Sequence, residues 1–424
     1  MEYLICIGFT IALYIRTLSY GYVVDDLQQY VLCQTYYKDT HYLMTDPLRR
    51  IWKVIYGAGL FKRAYSDHLF TLALTATITC LIYALFNNIW IALLWCAHPM
   101  HNQINIWLNG RRYQVSIILG LVSCLLPALG FVTYPLAVFF HPISIPFIFI
   151  ATVFKSPLCL LWVIPALLNY KWIKKWIVSR FNIQNFKEYK EFKVEKIVLA
   201  VKCIGQYILS FLIPKGFTMY HPTLWGISQL KGNKYRAYKI NLDFFISLGV
   251  ILLTLALPIF VDRSLIVGAF LAILALSQWS NLIITPVQIW AQRYSGVANI
   301  MFLWTLINMI DYLPTFYSAP VKCILLTAYV VITLKDMPMY RDVYSFMEYH
   351  TTLQPFNQNA HWYAMKSYDN NEQLYLSEKN NDMALINAMN SMATGMKWTI
   401  RNNNNDFIGQ YLEQKVNHFL GRKK

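Results

Sequence analysis

The chain has 424 residues, 57% of them hydrophobic and only 14% charged, with a formal net charge of +16. Soluble proteins of this size carry about a quarter charged residues, and the basic residues here fall between apolar blocks. The charge therefore reads as a topology signal and an attraction to anionic lipid, with no nucleic-acid partner expected.

The apolar residues gather in blocks of about 17–22, the length that carries a helix across the hydrocarbon of a bilayer. The blocks lack the period-2 alternation of barrel strands, so helices are expected. They fall at about 3–19, 68–86, 88–99, 113–130, 134–154, 158–172, 197–213, 242–260, 264–283, 298–314 and 319–335. The expected fold is an all-α polytopic membrane protein with about eleven transmembrane helices over residues 1–338. A soluble helical region over 339–424 follows. The first block has no basic region before it and no small-residue cleavage site after it, so it is expected to be retained as a helix. The third block is short, and His141-Pro142 and Pro146 break the fifth.

Lysine and arginine bias sets the expected orientation. The segment Lys171–Lys196 carries Lys171, Lys174, Lys175, Arg180, Lys187, Lys190, Lys193 and Lys196, and is the strongest cytoplasmic candidate. Counting from it places the N-terminus in the cytoplasm and 20–67, 214–241, 284–297 and the tail outside. The outward loops are nonetheless basic, with Arg49, Arg50, Lys53, Lys62 and Arg63 in one and Lys215, Lys231, Lys234, Arg236 and Lys239 in another. Either the count is off or those charges have a task that outweighs the insertion bias. The cysteines sit mostly in apolar blocks, show no zinc spacing, and read as small buried side chains.

Polar inserts between the blocks carry the candidate chemistry. Asp25-Asp26 follows the first block. Two adjacent carboxylates at a membrane boundary repel each other, which raises one pKa and suits a general base; a solvated loop start or a helix cap is the plainer alternative. His98-Pro99-Met100-His101-Asn102-Gln103, followed by Asn109-Gly110-Arg111-Arg112-Tyr113, forms a dense insert. His98 and His101 have helical spacing for a metal but no carboxylate near them in sequence, and an interfacial hairpin anchored by its arginines reads equally well. Gln292-Arg293-Tyr294 interrupts two late blocks, as a site residue or as a headgroup-level arginine. Lys155 and the turn Pro214–Pro222 are weaker signals, and Asp311 reads as a helix end before Pro314. No phosphate-binding glycine loop, dinucleotide fingerprint or zinc-protease motif occurs. The inserts share the expected extracytoplasmic side, as in a membrane enzyme using a lipid-linked donor: arginines hold the lipid phosphate and an aspartate takes a proton.

In this order the inserts resemble the GT-C class of membrane glycosyltransferases, and specifically the transmembrane and tetratricopeptide-repeat O-mannosyltransferase family. Asp25-Asp26 matches the acidic pair of that family's first large loop. Ser66-Asp67-His68-Leu69 with Leu81-Ile82-Tyr83 is similar to its second helix, which opens with His and closes with Tyr. His98-Pro99, His101 and Gly110-Arg111 match its His-Pro hairpin and Gly-Arg step. Leu212–Pro222 resembles the loop after its long central helix. Lys155 resembles a Lys-Glu step with Ser156 in place of Glu, and Arg293-Tyr294 a Glu-Arg-Tyr step with Gln292 in place of Glu. The likeness spans about residues 1–340. His350–Tyr368 and about 384–420 are similar to degenerate tetratricopeptide repeats.

The resemblance implies a GT-C-like bundle and an inverting transfer of a sugar, mannose in the named family, from a polyprenyl or dolichyl monophosphate. It implies that one carboxylate of Asp25-Asp26 is the base, Asp25 being favoured, and that the other orients the acceptor. Arg111, Arg293, His98 and Lys155 would hold the donor phosphate, with His101, Arg112, Tyr294 and Gln292 as further site candidates. It implies no bound metal and no tightly held cofactor. The partners would be membrane lipid, the lipid-linked donor, and a protein or glycan acceptor. The expected location is a bacterial cytoplasmic membrane, or the endoplasmic reticulum membrane in a eukaryote. A flippase for a lipid-linked glycan and a catalytically inactive scaffold stand as alternatives; the broken block at His141-Pro142 speaks for the first and the replaced glutamates for the second.

Overall fold

The computed structural model describes residues 1–21, 23, 64–164, 193–214, 240–280, 291–342, 345, 346 and 349. Among them every regular element is a helix. In chain order these are α1 (Glu2–Tyr14), α2 (Ala64–Phe86), α3 (Ile89–Ala97), α4 (Asn102–Asn105), α5 (Arg111–Leu125), α6 (Gly130–Phe140), α7 (Phe147–Phe154), α8 (Lys193–Leu212), α9 (Leu242–Val261), α10 (Ile266–Ser277), α11 (Gly296–Asp311) and α12 (Thr315–Asp336). Short 3-10 turns join several of them, including Pro99–His101, Pro142–Ser144 and Gln292–Ser295.

Four described stretches are long and apolar enough to cross a membrane: Glu2–Ser19, Ala64–Phe86, Leu242–Val261 and Thr315–Tyr340. Composition predicts eleven spans; among the described residues four reach that length, and polar turns shorten others. The fifth block is two helices, α6 and α7, parted at His141-Pro142. The sixth begins as a 3-10 helix, Pro157–Val163, and its remainder lies outside the described residues. Outward side chains on the long helices are large and apolar, among them Leu252, Phe260, Phe316 and Ile324. Lipid solvates such a surface; water does not.

Local chemistry sets the helix ends. Asn87 holds the left-handed backbone (φ 50°) that asparagine tolerates best after glycine, and Asn88 caps α3 by accepting the Trp90 N–H at 3.0 Å. Asn241 caps α9 and Asp262 caps the turn into α10. Close helix packing needs small residues. A Cβ at Gly205 would lie 2.4 Å from Ser247, and one at Gly268 would lie 2.3 Å from Thr305, so α8–α9 and α10–α11 approach on glycine. On α8, Lys202, Gln206 and Ser210 are buried while Ile197 and Val194 face outward, an inside-out pattern suited to lipid.

The residues group into two compact units. The first comprises Met1–Ile15, Phe70–Ile106 and Gly110–Asp336. At one of its ends Tyr3 meets Tyr83, Phe86 meets Phe154, and Tyr312 bonds Asp262. The inserts at 98–113, 141–144 and 291–295 meet one another. Thr333 donates to the Ala97 carbonyl, Tyr207 to that of Ala291, and Gln278 to that of Pro142.

The second unit draws on Arg16–Leu69, Trp107–Asn109 and Met337–Lys424. Within it His68 Nε2 donates to the Gly21 carbonyl at 3.2 Å, and the Gly21 N–H donates to the Arg341 carbonyl at 2.8 Å. Asp342 pairs with Arg341 and accepts the Ser345 N–H. The expected tetratricopeptide-like segments lie outside the described residues.

Candidate functional site

The His-Pro turn is a closed hydrogen-bonded unit. After α3 the chain turns at His98, whose Nδ1 accepts the Met100 N–H at 3.2 Å, while Nε2 stands 3.2 Å from the Phe211 carbonyl. A carbonyl only accepts, so Nε2 carries the proton. His101 is the mirror case: Nδ1 donates to the Trp95 carbonyl at 2.6 Å and Nε2 accepts from Asn299 at 2.9 Å. All four ring nitrogens are thus engaged inside the protein. Burial lowers both pKa values, that of His101 to about 4, and His101 depresses His98 further. Both rings are neutral at pH 7. No group of three or more His, Cys, Asp or Glu able to hold a metal occurs among the described residues.

Next in the chain, α4 presents Gln103. Its amide donates to Gln292 Oε1 at 3.0 Å and accepts from Arg293 Nη1 at 3.4 Å. The turn closes on Gly110, where a Cβ would lie 2.5 Å from the Gln103 carbonyl oxygen and 2.7 Å from that of Ile104. No larger residue fits, so the Gly-Arg step is required by packing.

Gly110 launches α5 directly into Arg111 and Arg112. Cations at the positive end of a helix are disfavoured, and successive residues point about 100° apart around the axis. The two arginines accordingly serve different neighbours. Arg111 is buried against α2: its Nε donates to Thr71 Oγ1 at 3.2 Å and its guanidinium lies 5.8 Å from the Phe70 ring centre. Gln114, one turn on, donates to Thr75 Oγ1 at 2.8 Å. Arg112 turns to Tyr113, with Nη2 3.5 Å from its hydroxyl and the guanidinium 5.1 Å from its ring centre.

Arg293 reaches the same hydroxyl. Its Nε donates to Tyr113 at 3.0 Å, and its guanidinium lies 4.9 Å from the ring centre of Tyr294. Arg112 and Arg293 therefore meet at one phenol oxygen. Arg112 makes no ion pair among the described residues, and its Nε is buried without a partner. An aromatic stack fixes the group: Tyr294 on Trp279 at 4.3 Å, Trp279 on His141 at 5.4 Å, and His141 against Tyr113 at 4.1 Å. Burial raises the Tyr294 pKa against the opposing pull of Arg293, so the phenol stays neutral.

The structure thus gathers Gln103, Arg112, Tyr113, Gln292, Arg293 and Tyr294 into one cationic cluster, with the His98–His101 turn preceding Gln103 in the chain. Lys155 is not part of it. That residue ends α7 exposed, and its charge is felt at Cys124, 13 residues beyond Arg111 and about 20 Å along α5. Asp25 and Asp26 lie outside the described residues. No protein-family model, curated protein or solved structure matches this chain.

Sequence reasoning did not single out Gln103, Tyr113, His141, Trp279 or Asn299 as site residues. Tyr113 and Gln103 stand within the dense insert beside charged residues, and neither carries a charge that would mark it. Asn299 was visible as an amide inside an apolar block, but its partner His101 is 198 residues away.

Proposed function

We propose that this chain is a membrane glycosyltransferase of GT-C type. It moves a sugar from a polyprenyl- or dolichyl-phosphate donor to an acceptor hydroxyl on the extracytoplasmic side, with inversion. The observation that carries this reading is the meeting of Arg112 and Arg293 at the Tyr113 hydroxyl. Two guanidiniums held on one phenol oxygen form an anion site, and guanidinium is the group that binds phosphate most directionally.

In this reading one carboxylate of Asp25-Asp26 takes the acceptor proton and the acceptor oxygen attacks the anomeric carbon. The bond from that carbon to the phosphate oxygen breaks, and the phosphate leaves with its electron pair. Arg112 and Arg293 stabilise the charge developing there, which a fixed cationic site does without reorganising. The neutral His98–His101 turn positions Gln103, which in turn orients Arg293. The acceptor is a protein or a glycan, and the membrane is a bacterial cytoplasmic membrane or the endoplasmic reticulum.

Binding of polyprenyl phosphate to the purified full-length protein tests the anion site. Arg112→Ala with Arg293→Ala should weaken it at least a hundredfold, while Lys155→Ala should leave it within twofold. Equal affinity in wild type and the double variant would overturn the assignment. The break between α6 and α7 at His141-Pro142 favours a second reading, a flippase, since interrupted helices mark transporter sites. Movement of a fluorescent polyprenyl-phosphate sugar across reconstituted vesicles, without transfer, would select it.

A further inference from the structure

The amide beside Gln103 behaves differently from Gln103 itself. Asn102 is 1% exposed, yet neither its Nδ2 nor its Oδ1 has a protein partner. Asn105, one turn on and on the same side of α4, spends its Nδ2 on the Tyr14 hydroxyl at 3.1 Å, while its buried Oδ1 also lacks a partner. Buried amide atoms are almost always hydrogen-bonded, because leaving them unmade costs their full desolvation. Three such atoms on one side of a four-residue helix are therefore an arrangement that calls for a ligand. The neighbouring Gln103 shows that the local backbone permits full satisfaction: both ends of its amide are bonded.

The chemistry of the three atoms defines the ligand. They offer one N–H₂ donor and two carbonyl acceptors, and no charge. Carbonyl oxygens repel phosphate and suit hydroxyl groups, which both donate and accept. Asn102 is adjacent in the chain to Gln103, which touches Arg293, so the subsite begins within one residue of the cationic cluster. A neutral polyhydroxylated group joined to a phosphate matches that layout.

We propose that Asn102 and Asn105 bind the hydroxyl groups of the donor's sugar, next to the arginines that bind its phosphate. This rests on the transferase reading and deepens it. It also divides the labour: the arginines set affinity for any lipid phosphate, and the asparagines distinguish a glycosylated one.

The test compares binding of polyprenyl phosphate, polyprenyl-phosphate mannose and polyprenyl-phosphate glucose to the full-length protein in detergent. Wild type should bind one glycosylated form more tightly than the bare phosphate. Asn102→Ala and Asn105→Ala should each weaken that form about tenfold and change bare-phosphate affinity less than twofold. Asn102→Leu, which fills the same space without the amide, should do the same while its Tm stays at or above wild type. If Asn102→Leu keeps full affinity for the glycosylated form, the amide is merely hydrated and the subsite is overturned. Equal losses for all three ligands would make the asparagines structural and likewise overturn it. A wild type that binds bare phosphate without preferring any glycosylated form loses the subsite and keeps the anion site. A wild type that binds none of the three loses both.

Discussion

Arg293 Nε donates to the Tyr113 hydroxyl at 3.0 Å, across 180 residues of sequence. That bond joins the start of α5 to the turn before α11, and Arg112 adds its own donor to the same oxygen at 3.5 Å. Removing the hydroxyl should therefore loosen both arginines. Tyr113→Phe is expected to lower donor affinity about fivefold, the worth of about 1 kcal/mol for one hydrogen bond. Titration with polyprenyl phosphate measures it, and an unchanged affinity would mean that the phenol does not orient the pair.

Gly110 is fixed by its surroundings, with two backbone carbonyl oxygens at 2.5 and 2.7 Å from any added Cβ. Backbone cannot step aside as a flexible side chain can. Gly110→Ala should cost about 1–3 kcal/mol of stability and displace Gln103 from Arg293. Thermal unfolding in detergent reads the first effect and polyprenyl-phosphate affinity the second.

Lys322 is buried in α12, where it pairs with Asp311 at the end of α11 and lies 6.0 Å from the Trp90 ring centre. Asp311 is 41% exposed, so solvent screens part of the attraction. Asp311→Ala leaves a buried ammonium without its carboxylate and should lower Tm clearly. Lys322→Met combined with Asp311→Leu should restore most of the loss, because apolar replacement of a buried pair is near neutral. A double variant no better than Asp311→Ala would contradict this.

His101 titrates at about 4 in the folded chain because burial disfavours its charged form. Its unfolded value is about 6.5. The group therefore contributes stability that is fully present above pH 6.5 and is lost as pH falls through 6.5 toward 4, where the unfolded chain binds the extra proton. The loss is on the order of 3 kcal/mol at pH 4. Asn299 and Trp95, which hold the neutral ring, should show matching changes: Asn299→Leu should lower stability at neutral pH and flatten the acid limb. Tm against pH for wild type and variant measures it.

Much of the architecture was legible in the sequence because crossing lipid demands long apolar runs. The ends of α2, α9 and α12 fall close to the expected blocks at 68–86, 242–260 and 319–335. The break in the fifth block was legible as well, because His141-Pro142 and Pro146 cannot continue a helix, and α6 and α7 part there. The meeting of the inserts at 98–113 and 292–294 was legible too, since alternating spans return every second loop to one side. Which arginine joins Arg293 was not. The choice between Arg111 and Arg112 turns on where α5 begins, and a start at residue 113 leaves both in a turn with no defined direction. With α5 beginning at Arg111, Arg111 faces Thr71 and Arg112 faces Tyr113. Partners such as His101 and Asn299 meet only through the fold, and nothing local in either segment announces the other.

The proposed transfer takes sugar from a lipid phosphate, with Asp25-Asp26 supplying the base and Arg293 holding the phosphate. The most direct measurement is transfer of radiolabelled sugar from polyprenyl-phosphate donors, in membranes with matched expression, by wild type and by Asp25→Asn, Asp26→Asn and Arg293→Ala. Wild type should give acceptor-linked product, one of the aspartate variants should lose transfer while retaining donor binding, and Arg293→Ala should lose donor binding. Wild-type protein that binds the donor yet yields no product with any acceptor fraction, or transfer that survives all three substitutions, would contradict it.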